Sequence, residues 1–184
     1  MTDIVKLWHA EHAKFLRLLD HLDDRITRVS KGQDEHIGLI TGIVDYLHHY
    51  GERAHHRRED VAFARMAKID NAFRAIADDL HAEHDEIIRT GRLLIEQLAS
   101  LTGNAAITRQ ALEANTRAYI AVQRAHLDRE DRQIIPSIAE RFQPLDWQEV
   151  SAEIHRPVDT QLSNDMVERF RALGRELTEE LAPT

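Results

Sequence analysis

Two copies of one hexapeptide pattern carry the residues with the clearest capacity for chemistry. Residues 55–60 are His-His-Arg-Arg-Glu-Asp and residues 126–131 are His-Leu-Asp-Arg-Glu-Asp, so both copies have the form His-x-x-Arg-Glu-Asp. In a helix, side chains four positions apart share a face, and each copy therefore directs an imidazole and a carboxylate the same way. Imidazole and carboxylate groups held together in this way are typical of a site for a transition-metal ion.

A second, shorter pattern is repeated along with the first. Residues 9–12 and residues 81–84 are both His-Ala-Glu-His. The interval from the last histidine of this pattern to the first histidine of the hexapeptide is 43 residues in the first half of the chain and 42 in the second. Two matches at nearly one separation indicate a duplicated pair of helices, in which each copy retains histidine and glutamate.

The composition favours a helical protein of about one domain. The chain has 184 residues, with only seven glycines, four prolines and 5% aromatic residues. Leu, Ala, Glu, Asp and Arg are abundant, so we expect an all-α fold. Because there is no cysteine, any metal would be held by nitrogen and oxygen ligands without thiolate.

Charge and hydropathy argue against two classes of partner. The formal net charge is −8, whereas a nucleic-acid-binding protein needs a basic face to neutralise phosphates. No uncharged run approaches the length that spans a bilayer, and the N-terminus lacks the features of a secretory signal. We therefore expect a cytoplasmic protein with neither a nucleic-acid nor a membrane partner, and its oligomeric state stays open.

Helical periodicity predicts four long helices with a histidine on the inward stripe of each. The first helix should run from Thr2 or Asp3 to about Ser30. The second should be capped by Asp34 and should contain a kink or local unwinding at Gly51, where its apolar stripe moves round the helix.

The third and fourth helices have comparable signals. Asp70 is expected to cap the third, residues 102–104 to end it, and Pro136 to kink or end the fourth. Four long helices with short connections form an up-down-up-down bundle, in which metal sites arise between facing helices.

The C-terminal part of the chain has weaker signals. It should form a short segment from Trp147, a break at Pro157 and a helix over about 164–181. We assign residues 1–142 to the four-helix bundle and residues 143–184 to a C-terminal helical extension packed on it.

A single histidine on an apolar stripe is more often a hydrogen-bonded core residue than a metal ligand. Here every bundle helix contributes one, and two helices add a glutamate one turn further on, so a metal-free core would bury several ionisable groups. Burying them unpaired is costly, whereas coordination stabilises neutral imidazole and ionised carboxylate together. The pattern therefore favours metal binding, and two glutamates among several histidines suggest a carboxylate-bridged pair of ions.

Taken together, the four helices carry His, His-x-x-x-Glu, Glu-His and His-x-x-x-Glu followed by a proline. This combination resembles the hemerythrin-like (HHE cation-binding) family over roughly residues 5–140, whereas ferritin-like proteins have the opposite order, Glu-x-x-His. The resemblance implies a bundle with a non-haem di-iron centre of two iron ions, bridged by the two glutamates and capped by histidines. The ligands it implies are His12, His55, Glu59, His84, His126 and Glu130.

One position departs from the family pattern. True hemerythrins have a further histidine four residues before the third-helix ligand, and this chain has Leu80 there. We favour His56 as the fifth histidine, although in a regular helix it points about 100° away from its neighbour. His48 and His81 are the alternatives, and His81 and His9 are also expected to support ligands from outside the centre.

The remaining histidines and one tyrosine have simpler interpretations. Tyr119 is expected to be a core residue that can also hydrogen-bond a ligand or a bound oxygen species. Surface or capping roles are expected for His21, His36, His49 and His155, and the basic run over residues 53–58 is expected to be a solvated face.

The resemblance implies that a small diatomic molecule or peroxide is the ligand. We expect a protein that binds, senses or reacts with oxygen, nitric oxide or hydrogen peroxide, which requires an open position on one iron. The alternative is an iron-dependent regulatory module, or an iron storage or repair module, without turnover. Whether the protein is an enzyme is left open by the sequence.

Overall fold

The structure is a computed structural model that describes residues 3–33, 37–102, 107–155 and 164–180. All regular structure in these ranges is helical, so the prediction of an all-α protein is confirmed. The α-helices are α1 (Asp3–Ser30), α2 (Ile37–Tyr50), α3 (His56–Ile69), α4 (Phe73–Thr102), α5 (Arg109–Arg129), α6 (Ile135–Arg141), α7 (Pro144–Ile154) and α8 (Asn164–Glu180). Two π-helical segments, Gly51–His55 and Glu130–Ile134, join α2 to α3 and α5 to α6.

Four rods of helix form the bundle. The first is α1, the second is α2 with its π-helical segment and α3, the third is α4, and the fourth is α5 with its π-helical segment and α6. The connections are short, so consecutive rods run antiparallel as in an up-down-up-down bundle. Contacts of α1 with α2 and α5, and of α4 with α2, α3 and α5, close the bundle.

The helix ends have local causes. At the end of α1, Gly32 has φ of 69°, and the amides of Gly32 and Gln33 return to carbonyls of the last turn, a glycine C-cap. Asp70, predicted to cap the third helix, accepts a hydrogen bond from the Ala72 amide at 2.9 Å just before α4. The predicted cap Asp34 lies outside the described residues.

The two predicted irregularities in the rods are present in different forms. The break expected at Gly51 is the π-helical segment Gly51–His55. Pro136 does not end the fourth rod, because α6 continues to Arg141. Proline has no amide hydrogen and cannot donate a hydrogen bond to the preceding turn. The π-helical segment Glu130–Ile134 comes just before Pro136, so the regular hydrogen-bond pattern changes where that bond is missing.

Two apolar clusters fill the bundle on either side of a polar layer. One cluster contains Phe15 and Leu22, and the other contains Trp8 and Phe63. In α1, His12 lies between these clusters and is fully buried. Apolar packing on both sides excludes water from the layer and so strengthens electrostatic interactions within it.

The two C-terminal helices pack on the bundle rods. Trp147 of α7 contacts Trp8 with a ring-centroid distance of 6.3 Å, while Phe170 of α8 contacts Tyr46 of α2 at 4.8 Å. Arg169 of α8 also pairs with Asp45 of α2. The expected break at Pro157 lies outside the described residues, and the domain boundary after residue 142 stays a prediction.

Among the described residues, no helix has both the length and the apolar character needed to cross a membrane.

Candidate metal centre

The seven residues predicted as metal ligands converge in the polar layer, and every rod contributes at least one. None exposes more than 5% of its surface. The set, called the centre below, consists of His12, His55, His56, Glu59, His84, His126 and Glu130.

One half of the centre joins the first two rods. Single donor atoms of His12, His55, Glu59 and Glu130 all lie within 4.8 Å of one another. His12 Nε2 is 3.0 Å from His55 Nε2 and 3.2 Å from Glu59 Oε1. It is also 3.5 Å from Glu130 Oε2, so the second glutamate reaches into this half from the fourth rod.

The other half joins the third and fourth rods. Here the group of mutually close donors consists of Glu59, His84, His126 and Glu130. His84 Nε2 lies 3.2 Å from His126 Nε2, and Glu130 Oε2 lies 3.3 Å from His126 Nε2. Glu59 and Glu130 belong to both groups, which is the arrangement that two bridging carboxylates require.

His56 joins the second half of the centre. It forms a group of close donors with His84 and His126, and its ring stacks on that of His84 at 4.0 Å. Burial, followed by the neighbouring imidazoles, lowers the pKa of His56 below its ordinary value, so a neutral ring with a free lone pair is favoured. Neither His48 nor His81 enters a donor group among the described residues.

The π-helical segment explains why His55 and His56 both point inward. Its hydrogen bonds run from residue i to residue i+5, as in the bond from the His56 amide to the Gly51 carbonyl. The wider turn reduces the angle between consecutive side chains. The deviation of His56 from His55 is therefore smaller than the 100° of a regular helix.

Four further carboxylates surround the centre and contact the outer nitrogen of its histidines. They are called the outer carboxylates and pair as Asp131 with His12 (2.8 Å), Glu11 with His55 (2.9 Å), Asp60 with His84 (3.3 Å) and Glu83 with His126 (2.8 Å), measured to Nδ1. A carboxylate at Nδ1 favours the tautomer with the proton on that nitrogen. The Nε2 atoms of all four rings therefore face the interior of the centre, where they are available to a cation that displaces their protons.

This arrangement accounts for residues of the sequence repeats outside the predicted ligand set, and it corrects the expectation of a solvated face over residues 53–58, because the Arg58 side chain is only 22% exposed. Arg58 donates to both oxygens of Glu11 at 2.6 and 2.7 Å, and in the other half Arg129 pairs with Glu83. The repeated glutamate thus holds the histidine of its own half. The identical Arg, Glu and Asp positions in both copies were the signal from which these residues could have been found.

The aspartates of the repeat cross between the halves of the chain. Asp131 of the second hexapeptide contacts His12 of the first half, and Asp60 of the first hexapeptide contacts His84 of the second. Each aspartate also contacts an exposed histidine, His9 on Asp131 at 2.9 Å and His81 on Asp60 at 3.1 Å. The two histidines that were expected to support ligands therefore make polar contacts with an outer carboxylate and not with a ligand itself.

The centre is not fully symmetric. Tyr50 donates a hydrogen bond to Glu11 at 2.6 Å, and the Phe15 ring lies edge-on to His55 with centroids 4.8 Å apart. Tyr119, discussed above as a partner for a bound species, is fully buried and bonds to the Gln123 side chain at 2.9 Å. The core interpretation of Tyr119 therefore agrees with its contacts.

The protonation of the centre shows how strongly it attracts positive charge. Burial alone would lower the pKa of His12, but the hydrogen bond with Asp131 and the nearby carboxylate of Glu59 raise it to about 10. The same balance raises the pKa of His84 to about 10. Burial would raise the pKa of Glu130, yet the surrounding imidazoles lower it to about 2.

The donor set fits a cation for a second reason. Glu59 Oε2 and both carboxylate oxygens of Glu130 are buried and accept no hydrogen bond. A buried carboxylate without such partners is costly unless an opposite charge compensates it. Convergent Nε2 atoms and carboxylate oxygens without hydrogen-bond partners are together the ligand chemistry of a nitrogen- and oxygen-bound metal site.

Comparison with known proteins agrees with this chemistry. The family model described as the hemerythrin HHE cation-binding domain matches residues 3–138, which cover the four rods of the bundle up to α6. A search of curated proteins gives no match to the chain.

Proposed function

Because the chain belongs to the hemerythrin HHE cation-binding family, we propose that it is a cytoplasmic non-haem di-iron protein that handles a small oxidant. The oxidant is oxygen, nitric oxide or hydrogen peroxide, which the protein binds, senses or consumes. The observation that carries the proposal is the convergence of the four Nε2 atoms on Glu59 and Glu130, three of whose four carboxylate oxygens accept no hydrogen bond.

In this proposal the two ions have unequal ligand sets. His12 and His55 would hold one ion, His84, His126 and His56 would hold the other, and Glu59 and Glu130 would be shared by both. The first group of residues offers one histidine fewer than the second, and we place the binding of the small molecule on that side. When bound, an iron pair supplies reversible one-electron chemistry toward such molecules.

The surrounding residues have distinct tasks in this function. The outer carboxylates orient the imidazoles and keep the Nδ1 proton in place, as such partners do at many metal sites. Burial would raise the pKa of Glu11, yet its hydrogen bonds with His55 and Tyr50, together with the charge of Arg58, lower it to about 2. Phe15, beside His55, covers the first ion's side with an apolar ring and limits water there.

Metal analysis and anaerobic spectroscopy test the proposal. Protein expressed in iron-replete medium should contain about two irons per chain, as two complete donor groups require. The reduced protein, titrated in turn with oxygen, nitric oxide and peroxide, should change its visible spectrum with at least one of them. Absence of stoichiometric iron would refute the di-iron assignment, and iron without any spectral response would refute the oxidant chemistry.

A second candidate function, an iron-dependent regulatory, storage or repair module without turnover, is favoured by the same buried charges. An ion that compensates Glu59 and Glu130 stabilises only the folded state, so occupancy should be coupled to folding. Thermal unfolding with and without chelator, measured beside peroxide and nitric oxide consumption, separates the candidates. A large shift in Tm without consumption favours the module, and consumption favours the oxidant chemistry.

A further inference from the structure

The centre is sealed, but one cleft brings solvent to its edge. This cleft, called the α3–α7 cleft, has a volume of about 630 Å³ and is lined by residues of α3, α4 and α7, including Asp60, His81, Glu149 and Val150. Helix α7 lies beyond residues 3–138, which the family model matches. One wall of the cleft is therefore built by a part of the chain outside the family match.

Two side chains connect the cleft with the centre. The His81 side chain is 48% exposed and its Nε2 lies 3.1 Å from Asp60 Oδ1. The same Oδ1 lies 3.3 Å from Nδ1 of His84, whose side chain is only 6% exposed. The exposed His81 imidazole thus meets a buried ligand of the centre through one carboxylate oxygen of Asp60, which is itself buried and accepts no hydrogen bond.

We propose that the α3–α7 cleft is the loading route of the centre, with His81 and Asp60 as a transient site for a divalent transition-metal ion. An ion held by His81 Nε2 and Asp60 takes the place of the contact between them. Because Asp60 also contacts His84, the captured ion lies next to a ligand of the centre and can pass inward. The inference rests on the proposed metal binding but not on the oxidant chemistry.

The α3–α7 cleft is lined by both acidic and basic side chains, and this mixture determines how a metal ion can be captured. Arg65 is compensated by Asp146 at 2.5 Å and Glu149 at 2.6 Å, and Arg57 and Lys68 also line the walls. Long-range attraction of a cation is therefore weak. Capture depends on direct ligation by an imidazole and a carboxylate, which are good donors for first-row divalent ions.

The duplication supplies a matched control on the opposite half of the chain. His9 contacts Asp131 at 2.9 Å, and Asp131 contacts His12 of the centre at 2.8 Å. The His9 side chain is 37% exposed, close to the exposure of His81. However, neither His9 nor Asp131 lines the α3–α7 cleft.

Uptake of cobalt(II) by chelator-treated protein tests the loading route. Two equivalents of cobalt chloride are mixed with wild type, His81→Ala, His81→Asp and His9→Ala, and the visible d–d absorption is followed with time. His81→Ala should slow uptake several-fold and reach the wild-type end point. His81→Asp, which restores a metal-binding side chain, and His9→Ala should both load at about the wild-type rate.

Several outcomes would overturn the route. They are an unchanged rate in His81→Ala, equal slowing in His9→Ala, a His81→Asp variant as slow as His81→Ala, or a reduced end point in His81→Ala. The last result would make His81 part of the centre. The wild-type protein separates failure of the route from failure of the proposed metal binding. If the proposed metal binding were wrong, the wild type itself would take up neither cobalt nor iron.

Discussion

At the scale of single residues, the centre depends on which nitrogen of each imidazole is free. The outer carboxylates occupy Nδ1 and so leave Nε2 on the side that faces Glu59 and Glu130. Support and ligation are separate tasks for separate carboxylates. Substitutions in the two sets should therefore have different effects on metal content and on metal affinity.

Replacing a bridging glutamate should reduce metal content. Glu130→Gln keeps the size of the side chain but removes the charge shared by both donor groups, so we expect loss of at least one of two ions per chain. Atomic absorption on purified protein measures this. Glu140→Gln, at an exposed position of α6, should retain the full content, and retention of both ions by Glu130→Gln would contradict the bridging role.

Replacing an outer carboxylate should weaken binding without abolishing it. Glu11→Gln can still accept a hydrogen bond from His55, but it loses the charge that supports the ring. We expect metal affinity to fall by roughly 10- to 100-fold, the usual effect of such partners. Competition with a chelator measures the affinity. Glu86→Gln, whose partner Arg89 is on the surface, is the control, and equal affinities would exclude the supporting role.

At the scale of helices, irregular turns and close approaches position the ligands. The second and fourth rods each contain a π-helical segment at the centre, and the segments include His55 and Glu130. Such insertions are frequent at functional sites because they re-aim side chains within a continuous helix. The third rod instead approaches its neighbours closely at Gly91.

Gly91→Ala should destabilise the bundle although alanine is the better helix former. An added Cβ would lie 2.9 Å from His48 Nδ1 and 3.2 Å from Tyr119 Cε2. Overpacking of this kind costs about 1–3 kcal/mol, against a propensity gain of up to about 1 kcal/mol. Urea unfolding should therefore show a lower midpoint.

A second glycine provides the control for this substitution. A Cβ added at Gly174 of α8 would meet nothing within 4 Å. Gly174→Ala should therefore leave stability unchanged or raise it by up to about 1 kcal/mol. Equal destabilisation by both variants would contradict the close packing at Gly91.

At the scale of the whole molecule, the charge balance of the centre couples stability to pH and to metal. In the metal-free protein, the pKa values of His12 and His84 are raised from 6.5 to about 10. Protonation of these two histidines therefore stabilises the folded state. This contribution to the free energy of unfolding is fully present below pH 6.5 and is lost as the pH rises through about 10. A bound cation would take the place of these protons and would reduce the dependence of stability on pH.

The chelator-treated protein should therefore lose stability between pH 7 and pH 10. Its urea midpoint should fall over this range, while that of the metal-loaded protein should change less. His12→Gln should have a shallower slope in the metal-free form, and His21→Gln should keep the wild-type slope. A midpoint of the metal-free wild type that is constant from pH 7 to pH 10 would contradict the protonated centre.

The sequence by itself determined the helices, the inward stripes and the ligand positions. These follow from local periodicity, because a 3.6-residue repeat fixes which residues share a face whatever the neighbouring helices do. The repeated hexapeptide could thus be identified as metal-binding before any helix was placed. Six of the seven residues predicted as ligands, all except His56, share an inward stripe for this reason.

Only the tertiary structure decided how the two halves support each other. Asp60 and Asp131 contact histidines of the opposite half, and the α3–α7 cleft exists because α7 packs on α3. Such contacts depend on the relative placement of rods far apart in the chain, which no local pattern encodes. The inward direction of His56 likewise depends on a π-helical turn, whose i→i+5 bonds break the regular period on which the prediction was based.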